Sequence, residues 1–175
     1  MTEPILYRPE AVEDALDQMA ENIAVSESEV CLVGIHSGGA DVADAIQKRL
    51  EQKGVSVMRG NLDISFYRDD LDTIAPHPLV RRSELPFDVA GKSIWLVDDV
   101  LYSGRTIRAA MDEIFDYGRP ASIRLAVLVD RGGRQLPIAA ECVGFSHEAP
   151  ADCNVELVTE GQWLIEQRQV KSCDH

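Results

Sequence analysis

The residues best able to do chemistry fall in three short segments. Asp98 and Asp99 close the apolar run Ile94-Trp95-Leu96-Val97, and Ser103-Gly104-Arg105-Thr106 follow them into a helical pattern. Two adjacent carboxylates delivered by a buried run suit a hydroxyl-rich sugar, a magnesium ion (Mg2+), or both. A glycine turn entering a helix N-terminus offers free backbone N–H groups and the positive end of the helix dipole, which favour a phosphate. Ser103 and Thr106 hydroxyls add donors there. The combination describes a ribose 5-phosphate, its ring on the acids and its phosphate on the loop. The second segment, His36-Ser37-Gly38-Gly39, follows the apolar run Val30 to Ile35. Its glycine pair lets backbone amides approach an anion closely, but no Lys-Ser or Lys-Thr follows, so it is not a Walker A loop. The third, Asp130-Arg131-Gly132-Gly133, follows Ile123 to Val129.

Each segment needs an element to hold it. Pro9 and Glu10 suit a first helical turn, and Val12, Leu16, Met19 and Ile23 recur at helical spacing. Val30 to Ile35 reads as a buried strand, and Val42, Ala43, Ile46 and Leu50 as the apolar face of a helix stopping at Gly54. Val55 to Tyr67 reads as extended, and Asp69 to Val89 as a long proline-containing loop. Lys92 to Val97 is a further strand, followed by a helix with apolar face Ile107, Ala110, Met111, Ile114 and Phe115, ended by Gly118 and Pro120. Ile123 to Val129 is the next strand, with shorter strand-like pieces at Glu141 to Gly144 and Val155 to Val158. Alternating apolar strands and helices predict an α/β fold with a parallel sheet covered on both faces. All three chemical segments fall at strand exits, where ligands of such sheets bind.

Composition narrows the class. At 175 residues, with 45% hydrophobic and 27% charged, the chain can bury roughly 70% of its unfolded surface in one core. Its formal charge of −13 disfavours a simple basic nucleic-acid binder. The N-terminus lacks a signal-peptide pattern and no apolar run is long enough to span a bilayer, so a cytoplasmic protein with no membrane partner is expected. Cys31, Cys142, Cys153 and Cys173 form no CxxC pair, and the scattered histidines give no zinc spacing, which predicts reduced thiols.

Val97 to Thr106, with its apolar lead, acidic pair and Thr closing a glycine turn, resembles the phosphoribosyl pyrophosphate (PRPP) signature of type I phosphoribosyltransferases. Gly60 to Asp70, Gly118 to Ile123 and Leu125 to Gly132 are similar to the PyrR family of pyrimidine-operon attenuators with uracil phosphoribosyltransferase activity. The resemblance runs from about Tyr7 to Gly144 and is densest between Asp63 and Pro137. It implies a type I phosphoribosyltransferase fold: a parallel five-stranded sheet flanked by helices, with a small hood and a long flexible loop at about 68–90. It further implies a single domain over 1–175 with a tail from about 160, forming a homo-oligomer, a dimer or higher. The implied reaction takes PRPP and uracil to UMP and pyrophosphate with Mg2+.

By the same resemblance, Asp98 and Asp99 hold the ribose hydroxyls and order the metal indirectly, through PRPP and water. Leu101, Tyr102, Ser103, Gly104, Arg105 and Thr106 bind the ribose phosphate and Ser37, Gly38 and Gly39 the pyrophosphate, with Val100 and His36 among the substrate-binding residues beside them. Tyr67, Arg68, Arg81 and Arg82 belong to the loop over the substrate, with Arg68 and Arg82 catalytic and the inward choice between Arg81 and Arg82 open. Asp130 and Arg131 begin the segment around uracil.

An apolar strand ending in Asp-Asp also resembles a phosphorelay receiver, but receivers carry that pair on their first strand and a lysine at a late strand exit. Neither holds here. Family members commonly carry His where Gly133 stands, Arg at Ala139, Lys-Asn at Phe145-Ser146 and Lys-Thr-Arg in place of His36-Ser37-Gly38. These departures predict weak RNA attenuation, leaving a UMP-sensing RNA-binding regulator and a transferase for another base as the alternatives.

Overall fold

A computed structural model describes residues 5–25, 28–65 and 82–170. Pro9 opens helix α1 (Pro9–Ala24), whose buried stripe includes Val12, Leu16, Met19 and Ile23, the spacing present in the sequence. Strand β2 (Glu29–Ile35) leads into α2 (Gly38–Gln52), which buries Val42, Ala43, Ile46 and Leu50. Then come β3 (Ser56–Leu62), β4 (Ser93–Leu101), α3 (Arg105–Tyr117), β5 (Ser122–Asp130) and β6 (Cys142–Ser146). The five strands form one sheet in the order β3-β2-β4-β5-β6, every pair parallel.

Alternation along the strands feeds two cores. Val30 and Leu32 of β2 and Trp95 and Val97 of β4 pack with α1 and α2. Cys31, Val33, Ile35, Ile94 and Leu96 pack with Ile107, Ala110 and Ile114 of α3. Because β3 and β4 flank β2 on opposite sides, the order reverses between β2 and β4. A crevice opens at such a switch point, outside the carboxyl ends of the strands. Burial pushes the Cys142 thiol up to about 11, which keeps it unreactive.

Four features differ from the sequence reading. β4 does not stop at Val97: Asp98 pairs with Val127, Val100 with Val129 and Leu101 with Asp130, because β5 supplies a partner ladder that far. Phe115 is 55% exposed, since the stripe through Ile107, Ala110 and Ile114 already faces the sheet and its neighbour one position on turns away. Residues 82–90, within the span expected to be a loop, are packed: Glu84 exchanges two 2.8 Å backbone bonds with Asn61, and Val89 is fully buried. Tyr67, Arg68 and Arg81 lie outside the described residues. The fourth is the tail, because the small hood implied by the resemblance is present but takes in residues read as tail. Strands β1 (Ile5–Tyr7), β7 (Cys153–Val158) and β8 (Leu164–Gln169) form an antiparallel sheet in the order β1-β8-β7, so much of the expected tail is strand. Tyr7 stacks on Phe145 of β6 at 3.8 Å between ring centroids, joining hood to core sheet.

Candidate active site

The loop after β2 is shaped by two close approaches. The His36 N–H donates to Leu62 O at 2.9 Å, and Ser37 O accepts from Ala40 N–H at 3.2 Å as α2 begins. A Cβ on Gly38 would sit 2.2 Å from Asp99 Oδ2, so glycine alone lets that carboxylate lie against the loop. A Cβ on Gly39 would meet Val97 O at 2.6 Å and Asp98 Cα at 2.9 Å. Gly39 therefore seats the start of α2 on the β4 backbone.

At the end of β4, each acid uses one oxygen to fix itself. Asp98 Oδ1 accepts the Asp99 N–H, and Asp99 Oδ1 accepts the Val100 N–H, both at 2.9 Å. Asp98 is 6% exposed. Gly104, at φ 92°, makes the left-handed turn into α3, and Ser103 Oγ accepts the Arg105 N–H at 3.2 Å. The turn is braced from the segment after β5. Ser103 O accepts the N–H groups of Gln135 and Leu136 at 3.0 and 3.1 Å, and Arg105 Nε donates to Gln135 Oε1 at 2.9 Å. Arg134 donates to Tyr102 O at 2.7 Å, to Ile138 O at 3.0 Å and to the Asp130 carboxylate.

Burial alone would raise the Asp130 pKa, but the Arg134 hydrogen bond, the Gly132 N–H and the Arg134 charge outweigh it and hold the carboxyl below its usual value. A lowered folded pKa contributes stability that is present above the unfolded value of about 3.9 and lost as pH falls through the folded one. Asp130→Asn is therefore less stable than the parent at pH 7, and the gap narrows below about pH 4. Urea unfolding at pH 7 and pH 3 checks this; a gap independent of pH counts against the pair.

These pieces enclose a cavity of about 570 Å³, within the range of small-molecule sites. Of the residues singled out in the sequence, it gathers His36, Ser37, Gly38, Asp98, Asp99, Val100 to Thr106, and Arg131. Gly39 lies behind the loop, and Asp130 faces Arg134. Arg82 lines a separate surface cleft with Ser83, Glu84, Leu85 and Tyr117. Arg131 reaches the cavity wall, but its Nη1 and Nη2 donate to Cys153 O and Pro150 O, at 2.6 and 2.9 Å. Asn154, Val155, Glu156 and Leu157 of β7 form a wall that sequence reasoning missed. The strand piece was visible, but nothing local says that it crosses above the sheet.

Among the described residues no group of three or more His, Cys, Asp or Glu is placed to hold a metal. Two neighbouring carboxylates nevertheless fit Mg2+, which keeps several waters and takes one or two carboxylates together with substrate oxygens. Among the described residues no helix is long and apolar enough to cross a membrane.

Known proteins share both the sequence and the fold. Residues 5–159 match the family described as phosphoribosyl transferase domain. The Bifunctional protein PyrR of Nitrosococcus oceani is 48% identical over 158 residues, covering 85% of this chain and 89% of the relative. That of Deinococcus radiodurans is 51% identical over 126 residues, which is 71% of this chain and 65% of the relative's length. The structure of a hypoxanthine-guanine phosphoribosyltransferase from Bacillus anthracis superposes with a TM-score of 0.70 at 17% identity, over 95% of this chain and 99% of the other. At that identity the likeness concerns the fold, while the family match and the PyrR relatives carry the assignment: this chain belongs to the phosphoribosyl transferase family and, within it, to the PyrR proteins.

Proposed function

We propose that the cavity transfers the phosphoribosyl group of PRPP to uracil, giving UMP and pyrophosphate. The observation that carries this reading is the Asp98-Asp99 pair set between two anion-binding loops, with Asp99 Oδ2 against Gly38 and the α3 N-terminus at Ser103 to Thr106. In the reaction, N1 of uracil bonds to the anomeric carbon, the bond from that carbon to pyrophosphate breaks, and the N1 proton leaves to solvent. The sugar gains cationic character as the leaving group gains negative charge.

Asp98 and Asp99 hold the ribose hydroxyls and face the cationic ring, and the backbone amides after His36 receive the departing pyrophosphate. The α3 N-terminus anchors the 5-phosphate and keeps the sugar still. When bound, Mg2+ supplies charge neutralisation for the pyrophosphate oxygens, held indirectly by Asp98 and Asp99. Strand β7 lines the same cavity as the acid pair and the α3 N-terminus, and its residues 154–157 are assigned to base selection. On the family resemblance alone, Arg68 and Arg82, with Tyr67 and Arg81, are assigned to the loop over the substrate; Arg82 lines a separate cleft, and the other three lie outside the described residues. His36 acts as a loop residue, since the transfer asks little acid–base chemistry of the protein.

Incubation with PRPP, Mg2+ and a panel of uracil, hypoxanthine, guanine and orotate tests the reading. UMP formation with uracil alone is expected. Turnover of another base in preference to uracil overturns the base assignment, and no turnover of any base overturns the catalytic one.

Leader RNA is expected to bind weakly. Arg134, in the segment after β5, spends its guanidinium on Tyr102, Ile138 and Asp130. Gly133, Ala139 and Phe145 supply no charge, and the chain carries −13. Each lost phosphate contact flattens the salt dependence by about 0.7 in log–log slope for single strands. A salt titration against pyrimidine-operon leader RNA checks this, with tight, UMP-enhanced binding near physiological salt as the contrary result.

A further inference from the structure

The two walls of the cavity come from different layers of the molecule. One is the end of β4 and the phosphate turn; the other is β7 of the hood. Arg131 touches both. It is 3% exposed, and its backbone N–H donates to Leu101 O at 3.0 Å. Its guanidinium donates to Pro150 O and Cys153 O, at the entry to β7, and lies 4.0 Å over the Tyr102 ring. Tyr102 is in turn pressed from Gly133, where a Cβ would come within 2.4 Å of Tyr102 Cε2, and is held at its carbonyl by Arg134.

From this arrangement we infer that Arg131 is a positioning residue rather than a contact to the base: it sets the distance between the hood wall and the phosphate wall. A planar guanidinium can stack on a ring and donate to two separate carbonyls at once, whereas a lysine ammonium cannot do both. The inference rests on the proposed transfer reaction only for the identity of the ligand that spans both walls. A ligand reaching from the phosphate turn to β7 depends on the spacing; one confined to the phosphate turn does not.

The test compares UMP with ribose 5-phosphate by calorimetry on the parent, Arg131→Lys and Tyr102→Leu, with hydrogen exchange followed over residues 101–104 and 153–157. Losing charged hydrogen bonds of this kind should weaken UMP binding about tenfold or more in Arg131→Lys while ribose 5-phosphate changes by less than about twofold. KM for the base should rise more than KM for PRPP. Exchange should quicken in both segments together in each variant. Equal losses for both ligands, or quickened exchange in one segment alone, overturns the inference. If the parent binds ribose 5-phosphate but not UMP, the uracil assignment fails separately, and joint loosening of the two segments still supports the strut.

Discussion

Asp99→Asn should lower kcat by roughly 10²- to 10³-fold, the usual loss when one preorganised electrostatic contact to a charged transition state is removed. The substitution is conservative in shape. Asn keeps an oxygen to accept the Val100 N–H, so the end of β4 stays in register. What changes is the group facing Gly38, where a neutral amide replaces a carboxylate oxygen. On the roles proposed above, the sugar in the transition state would then meet less negative charge and the indirect hold on Mg2+ would weaken. Steady-state kinetics together with a thermal melt separates the two effects. A melting temperature within a few degrees of the parent with collapsed turnover is expected, and unchanged turnover in a folded variant contradicts the role assigned to Asp99.

Gly38→Ala should be nearly as damaging to turnover, for a geometric reason. The new methyl would stand 2.2 Å from Asp99 Oδ2 and 2.6 Å from its Cγ, so the carboxylate must swing away. Its tie to the Val100 N–H opposes that swing. Displacement of a positioned group by about 1 Å costs on the order of 10²-fold in rate. Because the clash falls on a short side chain, the fold should survive. Gly39→Ala is the contrast: its methyl would strike backbone at Val97 O and Asp98 Cα, which neither shifts nor rotates away. That variant should lose about 1–3 kcal/mol of stability, as overpacked sites do. Urea unfolding of both, beside their kcat values, distinguishes a glycine needed by the site from one needed by the fold. Equal stability losses in the two variants would sink the distinction.

The sequence by itself determined the sheet and the placement of the acid pair and the Ser103 to Thr106 turn together at a strand exit. Those features are local: apolar runs, helical spacing and glycines declare themselves within about ten residues, and parallel α/β topology places strand exits together whatever the details. Asp98, Asp99 and Ser103 to Thr106 were legible because buried strand, acid pair and helix start lie within one continuous stretch. Tertiary structure decided the rest. The hood pairs Ile5 with Glu166, residues at opposite ends of the chain, through strands too short to show a period. The resemblance implied a hood, yet nothing local showed that β7 would wall the cavity or which carbonyls the Arg131 guanidinium would meet. Its sequence position beyond β5 was correct, yet the direction of a long side chain depends on which carbonyls fold above it. Gly39 makes the same point: it was read as part of the anion-binding loop and serves to pack the start of α2 on β4. Backbone pattern follows from local residue order, whereas the partner of a buried polar group is set by what the rest of the chain brings to it.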